Sequence, residues 1–337
     1  MMIDVFQIIS KKPSIYVSIS PSFLERIRSS IIKNYRSLRK FNREKIKINW
    51  STFEYEFRKA RYHLLSRLFK IGRILKISEK EILKNIRGFR VLGSRAKSDI
   101  ILPHKIRINE NFVEGYALYI AEGDTGLSGK KLPKKLRFTN SDLNVIRFFI
   151  QWLNSHFPGV DFYLNVILPP ETRISENFVN GVEKELSLNG KRIKIKKDHY
   201  NKKVKYRVCA DNAILVDLIL SLDKKIKNIC LKNKKLARAY IRGMMIGEGT
   251  AYFNKSRYVR IEMRNEKEIK YLHKLFRMLG FNCRPYLRSE RENMWSIYIG
   301  AKQLKKFYNE IGFGVHQERQ KILEAAVNKK LRVNQYV

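Results

Sequence analysis

The chain has 337 residues, of which 44% are hydrophobic and 12% aromatic, so it holds enough apolar material for packed cores. Its 70 Lys and Arg outnumber 31 Asp and Glu, and the resulting formal charge of +39 makes a polyanion such as nucleic acid the expected partner. Three widely spaced cysteines exclude a disulfide framework, and no apolar run approaches the roughly 18 residues of a membrane span. Without a signal-peptide pattern either, we expect a cytoplasmic protein with no membrane partner.

Residues 1–105 are predicted to form a basic, mainly helical domain, because apolar residues recur at helical spacing over 23–41 and 50–75. Ser78, followed three residues later by Glu81, is typical of a capping box at a helix start. Residues 64–75 and 79–87 therefore predict two helices joined by a tight turn. Two interpretations stay open, a helix-turn-helix that reads the major groove and an ordinary helical hairpin.

From about residue 106 the chain contains the same pattern twice. Residues 115–124 read GYALYIAEGD and residues 241–250 read IRGMMIGEGT, and each segment precedes strand-like and helix-like stretches in the same order. The first copy is expanded over residues 162–197. We predict a first half over 106–222, a lysine-rich linker over 223–236 and a second half over 237–330.

The main helix of each copy carries two small residues four positions apart, Ala117 and Ala121 in the first copy and Gly243 and Gly247 in the second. This spacing places both small residues on one helix face. Glycine inside a helix costs about 1 kcal/mol relative to alanine, so two of them need a reason. The pattern predicts that the two helices pack closely through these faces.

Both helices end in a glutamate followed by a glycine, Glu122-Gly123 and Glu248-Gly249. A carboxylate is disfavoured at a helix C-terminus by the dipole, and two parallel helices would bring two such charges together. A divalent cation such as Mg²⁺ relieves this repulsion, because it takes carboxylate and backbone carbonyl oxygens. We therefore predict a metal site at these four residues, with two solvated surface glutamates as the alternative.

Basic and apolar residues alternate in several segments of both copies, which is typical of strands with one polar face. A solvated face is the usual explanation, but the same charge on several strands predicts a saddle for a phosphate backbone. The predicted DNA-binding residues are Arg137, Arg192, Lys194, Lys196, Lys203, Lys205, Arg207, Arg260, Arg264, Arg284 and Arg288.

The two Glu-Gly segments resemble the motifs of the LAGLIDADG (dodecapeptide) homing endonucleases in their monomeric double-motif form, and the resemblance covers residues 106–327. It implies an α+β fold of two αββαββα halves related by a pseudo-twofold axis, with saddle-shaped antiparallel sheets over double-stranded DNA. The protein would be a monomer with an internal pseudo-dimer. Glu122 and Glu248 would bind divalent metal, one for each DNA strand.

The resemblance implies site-specific double-strand cleavage by phosphodiester hydrolysis, as in intron homing, with Mg²⁺ or Mn²⁺, whereas Ca²⁺ would support binding alone. Asn140 and Asn265 match positions where a polar side chain orders the attacking water. Lys302 matches a basic position near the scissile phosphate, but its counterpart in the first copy is Asn212.

Three functions follow from this resemblance. The first is a magnesium-dependent nuclease, the second is a DNA-binding transcriptional regulator that uses the fold without cleavage, and the third is an intron RNA maturase. The carboxylates kept in both motifs, Glu122 and Glu248, favour the nuclease. We therefore expect an enzyme.

Overall fold

The structure, a computed structural model, describes residues 1–10, 15–58, 60–90, 100–124, 135–172, 175–188, 190, 192–254 and 256–328. These residues form an α+β fold, as the sequence predicts, with buried hydrophobic residues from Ile3 to Ala326 in one continuous core. Every helix in these ranges is too short or too polar to serve as a membrane span.

The N-terminal region combines helices with short strands. Its elements are β1 (Met2–Asp4), α1 (Val5–Ile9), β2 (Tyr16–Ile19), α2 (Pro21–Tyr35), α3 (Leu38–Phe41), a π-helical turn (Asn42–Ile46), α4 (Trp50–Arg58), β3 (His63–Leu64), α5 (Leu65–Leu75), α6 (Glu79–Lys84) and β4 (Ile86–Arg90). Strands β3, β2 and β4 form a sheet that the prediction of a mainly helical domain did not include. Arg36 adopts a left-handed conformation with φ 66°, which divides the helix predicted over 23–41.

Helices α5 and α6 lie where the sequence predicts two helices joined by a turn. The Ser78 side chain caps α6 by accepting a hydrogen bond from the backbone N–H of Glu81 at 3.2 Å. Helix α6 has only six residues, and β4 begins two residues after it ends. A DNA-reading role for this pair of helices stays a prediction.

The first copy of the repeat is built on a five-stranded sheet. Its elements are β5 (Lys105–Arg107), α7 (Glu110–Glu122), β6 (Gly123–Asp124), β7 (Leu136–Asn140), α8 (Leu143–His156), β8 (Tyr163–Leu168), α9 (Glu176–Leu186), β9 (Ile193–Lys197), β10 (Lys205–Ala210) and α10 (Ala213–Ser221). Strand β5 pairs with β1, and the sheet has the order β6-β7-β10-β8-β9. The prediction of antiparallel sheets is wrong for β8 and β9, which are parallel because α9 crosses back between them.

The second copy is built on a four-stranded antiparallel sheet with the order β11-β12-β14-β13. Its elements, with the helix that precedes them, are α11 (Asp223–Cys230), α12 (Lys234–Glu248), β11 (Gly249–Phe253), β12 (Arg257–Met263), α13 (Glu266–Met278), β13 (Pro285–Leu287), β14 (Trp295–Gly300), α14 (Ala301–Glu310) and α15 (Gln317–Asn328). Residues 223–236, predicted as a linker, thus contain α11. A pseudo-twofold relation between the copies stays a prediction.

Candidate nucleic-acid interface

Helices α7 and α12 pack against each other more extensively than any other two elements. A Cβ atom on Gly243 would lie 2.8 Å from Cβ of Ala117, and one on Gly247 would lie 2.6 Å from Cβ of Ala121. The structure therefore brings together the four small residues predicted to face each other. Because the contacts advance by one turn in the same direction along both helices, α7 and α12 are parallel.

The parallel arrangement places Glu122 and Glu248 at the same end of the helix pair. Burial, together with the negative charge of Glu248, raises the pKa of Glu122 to about 7, although the positive charges of Arg319 and Lys205 oppose the rise. Burial also raises the pKa of Glu248, again against the effect of Arg319. The two carboxyl groups thus share a partly dehydrated site in which their charges repel.

Gly123 and Gly249 end the two helices and lead directly into β6 and β11. Both have φ near −80°, so neither uses the left-handed conformation that usually explains a glycine at a helix end. Their N–H groups donate to the carbonyl oxygens of Tyr119 and Met245. A Cβ on Gly249 would lie 2.5 Å from that oxygen of Met245, so the glycine serves close approach rather than a special backbone angle.

A residue to which the sequence analysis assigned no role, Arg319 of α15, lies at this same end. Its Nη1 atom donates to the carbonyl oxygens of Met245, Ile246 and Gly247 at 3.2, 2.7 and 3.0 Å. Burial lowers the pKa of Arg319, and the charges of Glu122 and Glu248 oppose this effect. A signal was present, because an arginine in the first turn of a helix is disfavoured there by the dipole.

The residues at the ends of α7 and α12 do not match the donor set of a divalent metal. The described part of the chain contains no group of three or more His, Cys, Asp and Glu side chains that could hold one. Mg²⁺ needs near-octahedral oxygen ligands, and here the last carbonyl oxygens of α12 already accept hydrogen bonds from Arg319. The charge of the guanidinium also acts on the two carboxyl groups that would have to bind the predicted Mg²⁺ or Mn²⁺.

Three other residues were predicted to be catalytic, and the structure gives the side chains of two of them a local structural use. Asn140 ends β7, and its side-chain oxygen accepts from the backbone N–H of Asp142 at 2.8 Å. Asn265 caps α13 by accepting from the backbone N–H of Glu268 at 3.2 Å. Lys302 is exposed in the first turn of α14. The two asparagine amides are therefore used for a turn and a helix cap.

The five-stranded sheet presents a cationic face. Arg207 lies opposite Asn165 of β8, which in turn lies opposite Lys194 of β9, so these alternating positions share one face. That face holds Arg137, Lys194, Lys196, Lys205 and Arg207, with Arg192 directly before β9, and we call these six residues the cationic face. Lys194, Lys196 and Lys205 are exposed, whereas Arg137 pairs with Asp124 at 2.7 Å. Lys203, predicted on a strand, lies in a bend before β10.

The four-stranded sheet carries fewer available charges. The Glu262 carboxylate lies 3.2 Å from Arg260 and 2.6 Å from Arg288, so one acid offsets two of the predicted DNA-binding residues. Arg264 and Arg284 are exposed just outside β12 and β13. The two sheets therefore differ in electrostatic character, which the alternation of residue types alone did not predict.

Three tyrosines on the four-stranded sheet form a column that the sequence analysis missed. The rings of Tyr252 and Tyr258 stack with centroids 4.9 Å apart, and Tyr298 lies 4.9 Å beyond Tyr258. Tyr258 pairs directly with Gly300 across the strands, and the missing side chain leaves room for the rings. The available signal was one tyrosine in each of the segments that form three adjacent strands.

Residues 235–312 match a family profile described as a LAGLIDADG-like domain. Over 248 residues, 72% of this chain and 70% of the relative, the chain is 24% identical to a probable cell division protein WhiA from Clostridium beijerinckii.

Solved structures of similar fold include the homing endonuclease I-DmoI in complex with DNA and Mn (15% identity, 62% of this chain, 99% of that one, TM-score 0.39). They also include I-WcaI bound to its DNA recognition sequence (13%, 64%, 86%, 0.40). A third is the N-terminal LAGLIDADG domain of DUF199/WhiA (11%, 63%, 87%, 0.37). All three TM-scores are below 0.5, so these similarities do not indicate a function for this chain.

The expectation that the chain is a nuclease is wrong. The curated relative that aligns with 72% of it carries a name that states a role in cell division and no nuclease activity. The LAGLIDADG-like domain is supported over residues 235–312, whereas the specific assignment to homing endonucleases is not. The catalytic roles predicted from the resemblance depended on cleavage, so they are withdrawn together with the nuclease assignment. They are the roles of Glu122, Glu248, Asn140, Asn265 and Lys302.

Proposed function

We propose that this protein is a regulator that binds double-stranded DNA through a LAGLIDADG-like scaffold and leaves the DNA intact. The observation that carries the proposal is the cationic face of the five-stranded sheet. Its exposed lysines lie on strands β9 and β10, which flank β8 in the sheet, so these lysines are spaced along a surface rather than gathered at a point. A duplex presents a regular array of phosphates, and such a surface matches it.

The cationic face continues to the end of the helix pair. The positive charge of Lys205 acts on the carboxyl group of Glu122, so the sheet and the acidic pair lie within electrostatic range of each other. A duplex on this face would thus come within electrostatic range of the ends of α7 and α12. The formal charge of +39 adds a long-range attraction for any polyanion, and it would increase the rate of encounter with DNA.

The experiment measures the affinity of the full chain for a fluorescent duplex of random sequence as the salt concentration rises. Lysine-phosphate contacts release counterions, so the logarithm of affinity falls with the logarithm of salt by about 0.9 per contact. We expect that replacing Lys194, Lys196 and Lys205 by glutamine reduces this slope by about 2 to 3.

The matched control replaces Lys224, Lys225 and Lys232 by glutamine. These exposed lysines lie on and just after α11, which precedes the start of α12 and so lies away from the Glu248 end. The control loses the same net charge, but we expect its slope to change by less than about 1. An equal change in both variants would show only a general charge effect and would contradict the assigned face.

The same samples test the two remaining features of the proposal. Duplex incubated with the protein and Mg²⁺ should stay full-length on a denaturing gel. Strand breaks that disappear in Glu122→Gln would overturn the non-cleaving assignment. An RNA duplex of the same length should compete more weakly than DNA, and equal competition would contradict DNA as the preferred partner.

A further inference from the structure

The turn before α15 directs one side chain to the end of the central helix pair. Gly312 and Gly314 have φ values of 64° and 50°, in the left-handed region where glycine is favoured. A Cβ on Gly314 would lie 3.0 Å from the Glu114 carboxylate and 3.1 Å from the Arg242 side chain, so this turn packs tightly against α7 and α12. Helix α15 begins three residues later, and Arg319 is its third residue.

The guanidinium of Arg319 is held by backbone rather than by flexible side chains. Its three acceptors are the carbonyl oxygens of Met245, Ile246 and Gly247, which belong to the last turn of α12. The Met245 oxygen also accepts from the N–H of Gly249, and all three oxygens lie at the negative end of the helix dipole, where a cation is stabilised. The position of this charge is therefore fixed by the fold.

The same charge acts on both carboxyl groups of the acidic pair. Arg319 counters the effect of burial on the pKa of Glu122 and of Glu248, and both carboxylates in turn counter the effect of burial on Arg319. The side chain of Glu122 reaches towards α12, because its Cγ atom lies 3.0 Å from where a Cβ on Gly247 would stand. One cation thus binds three carbonyl oxygens at the end of α12 and acts electrostatically on both acids.

We propose that Arg319 is the resident cation of the Glu122–Glu248 site and occupies the place that a divalent metal would need. A guanidinium carries a permanent charge and only donor groups, so it neutralises the acids without offering a ligand to a metal. A divalent ion would have to displace it from three carbonyl oxygens or lie beside its charge. This inference concerns the site alone and does not depend on DNA binding.

The test measures Mn²⁺ binding to the full chain by the loss of the electron paramagnetic resonance signal of free Mn²⁺. The wild-type protein should show no saturable binding that depends on the acidic pair. Arg319→Met frees the carbonyl oxygens and removes the positive charge that acts on both carboxylates, so we expect its Mn²⁺ affinity to be at least tenfold higher than that of the wild type. Adding Glu248→Gln to this variant should abolish the gain.

The matched control is Arg238→Met, at the opposite end of α12. Arg238 also pairs with a partly buried carboxylate, because its guanidinium donates two hydrogen bonds to Glu310 at 2.8 and 2.9 Å. This variant loses the same charge, but we expect no gain in Mn²⁺ affinity. A similar gain in both arginine variants would overturn the proposal, since it would reflect net charge rather than the site.

A comparison that leaves Arg319 in place keeps the proposal testable if Arg319→Met does not fold. Wild-type protein and the double variant Glu122→Gln/Glu248→Gln should bind Mn²⁺ equally weakly, and Mn²⁺ should raise the melting temperature of neither. Saturable Mn²⁺ binding by the wild type that is lost in the double variant would show that Arg319 leaves the metal site open. That result would overturn the proposal.

Discussion

Gly243 of α12 lies so close to the carbonyl oxygen of Glu114 in α7 that a Cβ on the glycine would overlap with it. The neighbouring contact is also tight, since the same Cβ would lie 2.9 Å from the backbone nitrogen of Leu118. Two helix backbones therefore touch at this point, and neither can yield by rotating a side chain.

Gly243→Ala should reduce the free energy of unfolding by about 3 kcal/mol, because the added methyl group must push two packed helices apart. Urea unfolding followed by circular dichroism measures the change. Gly181→Ala is the control, since Gly181 lies in α9 and a Cβ there would have no neighbour within 4 Å. We expect the control to be neutral or to gain up to about 1 kcal/mol. Equal losses in both variants would contradict a steric cause.

Glu268 joins the second copy to the helix before it. Its carboxylate accepts from the Tyr240 hydroxyl at 2.7 Å and pairs with Lys227 of α11 at 2.6 Å, and its side chain is only 4% exposed. Glu268→Ala should therefore cost about 3 kcal/mol of unfolding free energy, because it leaves a partly buried ammonium and a buried hydroxyl without this partner.

Glu266→Ala is the control for Glu268→Ala. Glu266 lies on the same helix and pairs with Lys270, but its side chain is 45% exposed. Exposed pairs one turn apart contribute little, so we expect a loss below about 0.5 kcal/mol. Melting temperatures that fall equally in both variants would show that burial does not distinguish the two acids.

The sequence was sufficient to predict the features that depend on spacing within one element. The small residues Ala117 and Gly243 marked the faces of α7 and α12, and the order of helices and strands was visible in both copies. These features depend on local periodicity, which each segment carries by itself. The position of an expanded segment at 162–197 and the alternation of its strand β9 were visible as well, although the parallel pairing of β9 with β8 was not.

The remaining features depend on residues that are distant in sequence. Arg319 meets carbonyl oxygens 72 to 74 residues earlier in the chain, and no pattern within α15 specifies those acceptors. Likewise, Arg288, which directly follows β13, pairs with Glu262 of β12, and no pattern within either segment shows this pairing. The sequence shows which residues carry charge, and only the fold shows which charges are already paired.

His63 makes the N-terminal region sensitive to acid. Burial and the positive charge of Arg28 lower the pKa of His63 to about 4. Between pH 6.5 and 4 the unfolded chain binds a proton that the folded chain does not, so the free energy of unfolding decreases as the pH falls through this window. We expect a loss of up to about 3 kcal/mol from this residue.

The measurement compares urea unfolding at pH 7 and pH 4.5 for wild type and His63→Gln. The variant cannot take up this proton, so its stability should depend less on pH over the same interval. His199→Gln serves as the control, because His199 is exposed in a turn and should leave the pH dependence unchanged. A pH dependence that is the same in all three proteins would rule out His63 as its source.

Glu262 limits the positive charge that the four-stranded sheet offers to DNA. Burial acts to raise the pKa of Glu262, but hydrogen bonds from Arg288 and Ser296 and the charge of Arg260 outweigh it, so the pKa is lowered overall. The acid is therefore ionised at neutral pH and pairs with both arginines. Glu262→Gln should release them for phosphate contacts, which would add to those of the cationic face.

Under the proposed function, Glu262→Gln should raise the affinity for a random duplex about three- to tenfold at low salt and steepen the salt dependence by about 1. The control is Glu266→Gln, which makes the same change in net charge on α13 rather than on the sheet. An equal rise in both variants would assign the effect to net charge alone. A rise limited to Glu262→Gln would extend the DNA contact to the second sheet, because Arg260 lies on β12 and Arg288 directly follows β13.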